Sequence, residues 1–435
     1  MERIVLNSLI KWCTDSRRKP LLLRGARQVG KTWLVEKLAK EKFKHYLKID
    51  FEENPELIQL FEGDLDPVKT CSELEIRTGI DIVDSETLVF FDEIQACPRA
   101  IMSLRYFYEK RSNLHVIAAG SLLEFVFDEI SFPVGRIQTL EIQPMNFIEF
   151  LKANDYHKAS EACENINHNI SDSTHQFLIE QLRNYFLVGG MPECVKTYSK
   201  TKSLKSAIDV QNEIIESYIL DFNKYKPKTD IHCLQTVFYT LASKTGQQIK
   251  YAGLSQDFSI PTNKKALVSL IQARIVNKVK AISKPGLPLN IYGSEKKFKS
   301  IFLDIGLMNK MMGIDYHEAL NHSNLLAIYQ GQLAEQFIGQ ELISSGESQL
   351  YYWSRDSKSS TAEIDFLILK GEGLTPIEVK DGPSGKLRSL HLYRANYSPK
   401  KSVVFYSGKP GSIEDERIVF LPLYYAYAFS KSKEL

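Results

Sequence analysis

The sequence predicts an α/β protein with a parallel-sheet core, and two observations support this fold class. The stretch Gly25–Thr32 fits the pattern G-x-x-x-x-G-K-[ST] at every fixed position. Short apolar or alternating runs also recur along the first third of the chain, at 21–23, 45–51, 87–91 and 115–119. Runs of this length, separated by helical patterns, are typical of strands in a parallel sheet.

The glycine-rich loop stands between an apolar run and a helical pattern, which is the context that phosphate binding requires. Its glycines let the backbone fold closely around a polyphosphate, which then faces backbone N–H groups and a helix N-terminus. We expect Lys31 to reach the β- and γ-phosphates of ATP and Thr32 to bind Mg²⁺. The alternative is a glycine turn that matches by chance. The predicted nucleotide-binding residues are Gly25, Ala26, Arg27, Gln28, Val29, Gly30, Lys31 and Thr32.

Two acids, Asp92 and Glu93, follow the apolar run at 87–91. A buried strand that ends in acids is the Walker B pattern, and the strand end opens onto the ligand crevice of a parallel sheet. We expect Asp92 to hold Mg²⁺, directly or through water, and Glu93 to polarise the attacking water as general base. The alternative is a buried strand that ends in surface acids.

Two further residues are candidates for the catalytic step. Ser121 follows the apolar run at 115–119 after Gly120 and could contact the γ-phosphate or the lytic water; alternatively it caps a helix, because Ser121 and Glu124 form a capping-box pattern. Arg136 follows a turn glycine and is a candidate arginine finger, acting in cis or across an oligomer interface. The alternative for Arg136 is an ordinary surface arginine.

Composition limits the class of protein. The chain has 435 residues, of which 43% are hydrophobic and 25% charged, as in soluble globular proteins of several domains. Its apolar runs fall short of the ~20 residues that a membrane span needs. The six cysteines show neither C-x-x-C pairs nor zinc spacing, so we expect reduced thiols in a cytoplasmic protein.

A basic block covers residues 224–300, where fourteen Lys or Arg stand against three acids in a chain of net charge +2. Such a block favours a polyanionic partner, most often DNA, whereas the alternative is a solvated basic face. Residues 248–274 follow a helix-turn-helix pattern, and a strand and hairpin come next, as in a winged helix. Its predicted phosphate contacts are Lys264, Lys265, Arg274, Lys278, Lys280 and Lys284. A winged helix that binds a protein partner is the other interpretation.

These motifs make the chain resemble the bacterial and archaeal AAA-like ATPases that carry a C-terminal domain of unknown function. The matching stretches are 24–32, 91–95 with Pro98, 119–121, 135–136, 144–151 and 189–193. The residue patterns and this resemblance together predict four parts: a P-loop ATPase core of AAA type (1–151), a helical lid (152–223), a basic winged-helix-like domain (224–312) and a restriction-endonuclease-like α/β domain (313–435). The resemblance also allows a homo-oligomer.

The C-terminal segment carries a second candidate site. Asp365, a hairpin and then Glu378-x-Lys380 follow the layout of the PD-(D/E)xK nuclease core, and Glu335 on a preceding helix could complete a carboxylate cluster. Asp365, Glu378 and Glu335 would bind Mg²⁺ or Mn²⁺, while Lys380 would activate water. The alternatives are a salt-bridged strand face and a binding module that does not cleave.

Three functions follow from the sequence. The first is a Mg²⁺-dependent ATPase that acts on or binds DNA. The second is an ATP-gated nuclease, and the third is a nucleotide-dependent switch that binds protein partners without cleavage.

Overall fold

The computed structural model describes residues 1–127, 130–225, 229–313, 331–355, 362–371, 373–380, 387–415 and 417–432. By contacts, the chain divides into two compact units. The first unit contains residues 2–143 and 272–274, and the second contains residues 1, 144–271 and 275–435.

The first unit contains a five-stranded sheet in which all paired strands are parallel, in the order β2-β3-β4-β1-β5. The strands are β1 (Leu21–Arg24), β2 (His45–Asp50), β3 (Thr87–Asp92), β4 (His115–Ala119) and β5 (Gln138–Glu141). Every residue of β3 and of β4 is buried, as expected for central strands covered on both faces. The α/β class and the parallel P-loop sheet are therefore confirmed.

Helices and short 3₁₀ turns connect these strands. They are α1 (Leu6–Thr14), α2 (Lys31–Lys42), α3 (Pro67–Thr78), α4 (Pro98–Lys110) and α5 (Leu123–Phe127), with 3₁₀ turns at Pro55–Phe61 and Ile94–Ala96. Pro67 and Pro98 stand at helix starts, where their missing N–H leaves no hydrogen bond unmade. Because the five strands run parallel, they all end at the same edge of the sheet, and the loops at that edge can meet.

The second unit begins with a helical region. Its first helices are α6 (Phe147–Ala153), α7 (His157–Glu164), α8 (Asp172–Val188), α9 (Pro192–Thr201), α10 (Leu204–Asp221), α11 (Ile231–Ser243) and α12 (Ile260–Gln272). The chain between α8 and α9 is not helical at 189–191. Asp304 accepts a hydrogen bond from Leu307 N at 3.0 Å and caps α13 (Ile305–Met311).

The second unit also contains a mixed sheet of nine strands among the described residues, in the order β13-β14-β12-β11-β10-β9-β7-β8-β6. The strands are β6 (Ile249–Lys250), β7 (Val276–Ile282), β8 (Gly293–Phe302), β9 (Tyr351–Ser354), β10 (Glu363–Lys370), β11 (Gly373–Val379), β12 (Ser402–Tyr406), β13 (Gly411–Ile413) and β14 (Ile418–Pro422). The remaining helices are α14 (Gln332–Ser344), α15 (Arg388–Tyr397) and α16 (Ala426–Lys431).

The helix-turn-helix predicted over 248–274 is wrong in its first half, because residues 249–253 form β6 and a 3₁₀ turn and only α12 is helical. The predicted wing, β7 with β8, is an antiparallel hairpin, and β7 also pairs with β9 in parallel. The strands on either side of the predicted boundary at 312/313 thus form one sheet rather than two. The four-part division remains a prediction, but its last boundary runs through a single hydrogen-bonded layer.

Two simpler expectations can be compared with the structure. None of the helices in the described ranges is long and apolar enough to cross a membrane. All six cysteines are free thiols, five of them buried.

Candidate nucleotide site

The glycine-rich loop joins the end of β1 to the start of α2. Gly25 and Gly30 have φ of 152° and 91°, in the region that favours glycine, and Gln28 adopts a left-handed φ of 64°. A Cβ atom on Gly25 would meet the carbonyl oxygen of Ile142, so a larger residue does not fit there. The loop is therefore held in a tight turn whose backbone conformation suits glycine at both fixed positions.

Lys31 is buried at the first position of α2 and folds back over the loop. Its Nζ donates hydrogen bonds to the carbonyl oxygens of Gly25 at 2.9 Å and Ala26 at 2.8 Å. Burial lowers the pKa of Lys31 to about 8, although Glu93 and Asp92 oppose this shift. An anion in the loop would stabilise the charged ammonium, so this lysine is poised to exchange carbonyl partners for phosphate oxygens.

Thr32 and Asp92 meet across the sheet edge. The Thr32 hydroxyl donates to Asp92 Oδ2 at 2.8 Å, and Lys48 Nζ lies 3.4 Å from the same oxygen. Asp92 is buried at the last position of β3. A hydroxyl and a carboxylate are hard oxygen ligands, so this pair fits a Mg²⁺ ion that keeps waters and phosphate oxygens as its other ligands.

Glu93 follows directly, with a left-handed φ of 45°. Such a conformation is costly for a non-glycine residue and is found most often at functional sites. Gln95 Nε2 donates to Glu93 Oε2 at 2.6 Å, which fixes the carboxylate. Burial raises the pKa of Glu93 above its usual value.

Gln95 is a contact of Glu93 that the acidic motif alone did not indicate. Its Oε1 is buried without a hydrogen-bond partner among the described residues, and a Cβ on Gly120 would collide with that oxygen. Gln95 therefore packs against the backbone next to Ser121. A buried carbonyl oxygen without a partner is unfavourable and is suited to receive a hydrogen bond from a bound water.

Ser121 lies between the loop and the acids, because β4 pairs with β1 on one side and with β3 on the other. It is 5% exposed. Glu124, the other half of the capping pattern, turns to a different partner: it accepts hydrogen bonds from Arg24 and from Arg274. The topology therefore suits Ser121 for contact with the phosphates or the attacking water.

The ion cluster around Glu124 could not be anticipated from the motifs. Arg24 Nε donates to Glu124 Oε1 at 3.0 Å, Arg274 Nη2 donates to the same oxygen at 2.8 Å, and Arg274 Nη1 pairs with Glu141 at 2.6 Å. Burial raises the pKa of Glu124, but the two arginines outweigh it and the net shift is downward. Glu124 also raises the pKa of Lys31, so the cluster is electrostatically coupled to the loop.

Arg274, which was predicted to face DNA phosphates, forms ion pairs with the carboxylates of Glu124 and Glu141. It follows α12 with φ of 63°, and Ile275 N donates back to Leu270 O at 3.0 Å. Glycine usually takes this helix-closing position because other residues are strained there. Its guanidinium nitrogens pair with Glu124 and Glu141, and the contact of Arg274 with DNA phosphates stays a prediction.

Arg136 lies away from these residues. Its Nε donates to Glu109 Oε1 at 3.0 Å, in the last turn of α4, and Lys19 Nζ donates to Gly135 O at 2.7 Å just before β1. Both contacts lie at the edge where strands begin, opposite the edge that carries Lys31 and Asp92. The structure therefore does not bring Arg136 to the predicted nucleotide-binding residues, and its role as an arginine finger stays a prediction.

The C-terminal carboxylates surround a lysine instead of forming a metal cage. Lys299 Nζ lies 2.8 Å from Glu335 and 3.2 Å from Asp365, while Glu378 Oε1 pairs with Lys380 Nζ at 2.6 Å. Across the described residues, no group of three or more His, Cys, Asp or Glu has the geometry to hold a metal ion. The predicted metal set Glu335, Asp365 and Glu378 is therefore not assembled here, because an ammonium separates its members.

The basic block is also less open than its composition suggested. Lys278 and Lys280 both pair with Glu295, at 2.6 and 2.7 Å, and Lys299 is fully buried. By contrast, Lys264 and Lys265 are exposed on α12, and Lys284 is exposed in the hairpin. Lys226 and Lys228 of this block lie outside the described residues.

Three families match consecutive parts of the chain. Residues 17–151 match a family described as an AAA domain, 179–318 a domain of unknown function (DUF8612), and 330–426 a domain of unknown function (DUF4143). The chain thus contains an AAA-type P-loop ATPase domain, as the motifs predicted. No curated protein matches it.

Solved structures resemble it only distantly. The Walker-type ATPase PABY2304 of Pyrococcus abyssi is 17% identical over 71% of this chain and 94% of its own, with a TM-score of 0.45. The Holliday junction branch migration motor RuvB of Thermotoga maritima is 14% identical over 64% of this chain and 90% of its own, with a TM-score of 0.31. Drosophila ORC bound to DNA is 13% identical over 73% of this chain and 85% of its own, with a TM-score of 0.26. Likeness at this level carries no argument about substrate or partner.

Proposed function

We propose that the protein binds ATP with Mg²⁺ in the Gly25–Thr32 loop, hydrolyses it, and couples this cycle to DNA. The observation that carries the hydrolysis is the pairing of Thr32 and Asp92 at 2.8 Å, beside Lys31 and Glu93, at one edge of a parallel sheet. These four side chains supply what phosphoryl transfer to water requires, which is phosphate binding, metal binding and a base.

Binding follows from the loop and Lys31. The loop glycines bring backbone N–H groups close to the phosphates, and the start of α2 adds its dipole. Lys31 leaves the carbonyl oxygens of Gly25 and Ala26 and pairs with the incoming phosphates, which restores a fully charged ammonium. Thr32 and Asp92 would hold Mg²⁺, whose charge offsets that of the phosphates when bound.

Hydrolysis needs an oriented water. Glu93, fixed by Gln95 at 2.6 Å, would accept the proton of that water as it attacks. Gln95 follows β3 and Ser121 follows β4, at the same edge of the sheet. The buried Oε1 of Gln95 and the hydroxyl of Ser121 are therefore suited to orient the same water. Positioning and electrostatics then account for most of the rate enhancement.

The DNA part of the proposal is supported by the exposed face of α12. Lys264 and Lys265 are exposed side by side, and Ile260 (55% exposed) and Val268 (41% exposed) flank them. Basic residues on an exposed helix are suited to contacts with DNA phosphates. The same mixture of apolar and basic groups also suits a protein partner, which remains the competing interpretation. The structure gives the nuclease alternative no such support, because Lys299 separates the carboxylates.

The deciding measurement is ATP turnover with Mg²⁺, with and without duplex or single-stranded DNA, at two salt concentrations. We expect phosphate release by the wild-type chain, none by Lys31→Ala, and a DNA-dependent change of rate that weakens at high salt. A rate that ignores DNA at low salt would favour the protein-binding switch. Turnover by Lys31→Ala at the wild-type rate would refute the site itself.

A further inference from the structure

Lys299 occupies an unusual place in the second unit. It lies on β8, and its side chain is completely buried. Its Nζ is 2.8 Å from Glu335 on α14, 2.8 Å from Glu363 and 3.2 Å from Asp365, the latter two on β10. The ring of Tyr352 stands 5.3 Å from the same ammonium. Two elements, α14 and β10, thus direct three carboxylates at one nitrogen of β8.

The arrangement satisfies the ammonium. A lysine has three N–H donors and no acceptor, and each donor here has a carboxylate oxygen within reach. Burying an isolated ammonium costs on the order of several kcal/mol. A buried lysine is therefore found only where neighbouring groups compensate its charge. Lys299 therefore has the role that a bound cation has in an oxygen-lined site.

The surrounding acids are more numerous than this one charge requires. Asp365 Oδ2 accepts a hydrogen bond from Val379 N at 2.8 Å, which holds the carboxylate in place without neutralising it. Beyond it, Glu378 is buried, and its Oε2 has no hydrogen-bond partner among the described residues. Three carboxylates thus face the one ammonium of Lys299, whereas Glu378 has its own partner in Lys380 Nζ at 2.6 Å. Several oxygen ligands around one point are what a divalent cation prefers.

We propose that the Lys299 ammonium is the built-in cation of this cluster, and that its removal uncovers a divalent-cation site formed by Glu335, Glu363 and Asp365. In the native chain the lysine excludes the metal, so the cluster stabilises the sheet and does not support metal-dependent cleavage. This inference is independent of the ATPase proposal, because it concerns residues of the second unit only.

The test substitutes Lys299→Met, which keeps the length of the side chain and removes the charge. The full chain also carries Asp92→Asn, so that the nucleotide loop contributes no metal site, and no nucleotide is added. We expect the variant to melt at a lower temperature than its parent in EDTA, because three acids lose their counter-ion. Mn²⁺ should restore the melting temperature, since a ligand that binds only the folded state stabilises it. Electron paramagnetic resonance should show the bound Mn²⁺.

Two controls sharpen the result. Lys296→Met, an exposed lysine of the same strand, should change neither the melting temperature nor its response to Mn²⁺. Adding Asp365→Asn to Lys299→Met should abolish the Mn²⁺ effect. Lys299→Ala serves as a second variant with more room for the ion and its waters.

Two outcomes would overturn the proposal. One is a parent chain, with Lys299 intact, that binds Mn²⁺ and loses this binding on Asp365→Asn, because the lysine would then not exclude metal. The other is that neither Lys299→Met nor Lys299→Ala, folded or unfolded in EDTA, gains stability or a bound-Mn²⁺ signal when the ion is added.

Discussion

Replacing Glu93 with glutamine separates nucleotide binding from turnover at this site. In the wild-type chain Gln95 Nε2 donates to Glu93 Oε2 at 2.6 Å. The glutamine amide keeps the size of the side chain and an oxygen that can accept this hydrogen bond, but it cannot accept the proton of the attacking water. Lys31, Thr32 and Asp92 are untouched, so ATP affinity should stay within a few-fold of wild type. General bases contribute about 10²–10⁴-fold. At ~1.4 kcal/mol per tenfold, the barrier should rise by roughly 3–5 kcal/mol.

The assay is steady-state phosphate release at saturating ATP and Mg²⁺, paired with equilibrium binding of a fluorescent ATP analogue. The matched control is Glu86→Gln, a partly exposed acid that precedes the first residue of the same strand and pairs with Lys44 at 2.7 Å. It should leave both rate and affinity unchanged. Gln95→Ala should lower turnover less than Glu93→Gln, since it loosens the base without removing it.

The pH dependence gives a second readout. Burial raises the pKa of Glu93, so its carboxyl group remains protonated up to a higher pH than that of an ordinary glutamate. The base form is therefore lost early as pH falls, and kcat/KM should decline in acid below that raised pKa. Glu93→Gln should flatten this limb. Wild-type turnover by the variant, or an unchanged acid limb in what turnover remains, would remove Glu93 from the role of base.

The remaining predictions concern the loop, the ion cluster and the basic helix. Lys31→Ala should abolish ATP binding measured by calorimetry. Glu124→Gln should lower the melting temperature without nucleotide, by an amount equivalent to about 2 kcal/mol, because Arg24 and Arg274 lose hydrogen bonds to a charge. Its pKa is lowered in the folded chain, so the stability that Glu124 contributes at neutral pH should fade as pH drops through that lowered value. Reversing Lys264 and Lys265 to glutamate should weaken DNA binding and reduce its salt dependence in gel shifts; unchanged binding would favour a protein partner.

Much of the first unit followed from the sequence because its signals are local. A loop that matches a phosphate-binding pattern, and buried strands that end in Asp92 or in Gly120 and Ser121, specify both the elements and the edge where they meet. The meeting of Thr32 and Asp92 was predictable because parallel strands place their carboxyl ends together. In such a sheet, chain order and strand direction are enough to bring these residues into one site.

The parts that the sequence did not indicate depend on partners distant in the chain. Arg136 and Arg274 both looked available for phosphate, one as a finger and one in the basic block. Arg274 instead reaches Glu124, 150 residues away, while Arg136 pairs at the opposite edge of the sheet. A sequence motif indicates the residue type that a function needs, but it does not indicate which carboxylate pairs with that residue in the folded chain.

The same reasoning applies to the carboxylates of the C-terminal sheet. Asp365, Glu378 and Lys380 lie in the order that a nuclease core requires, yet the charge that decides their chemistry comes from Lys299, on a strand predicted to belong to another domain. Because β7 pairs with β9, the wing and the C-terminal strands form one sheet and their side chains share one environment. The predicted boundary at 312/313 assigned Lys299 to a different domain from Asp365 and Glu378. The motif therefore indicated a metal ion at a position where the structure has the Lys299 ammonium.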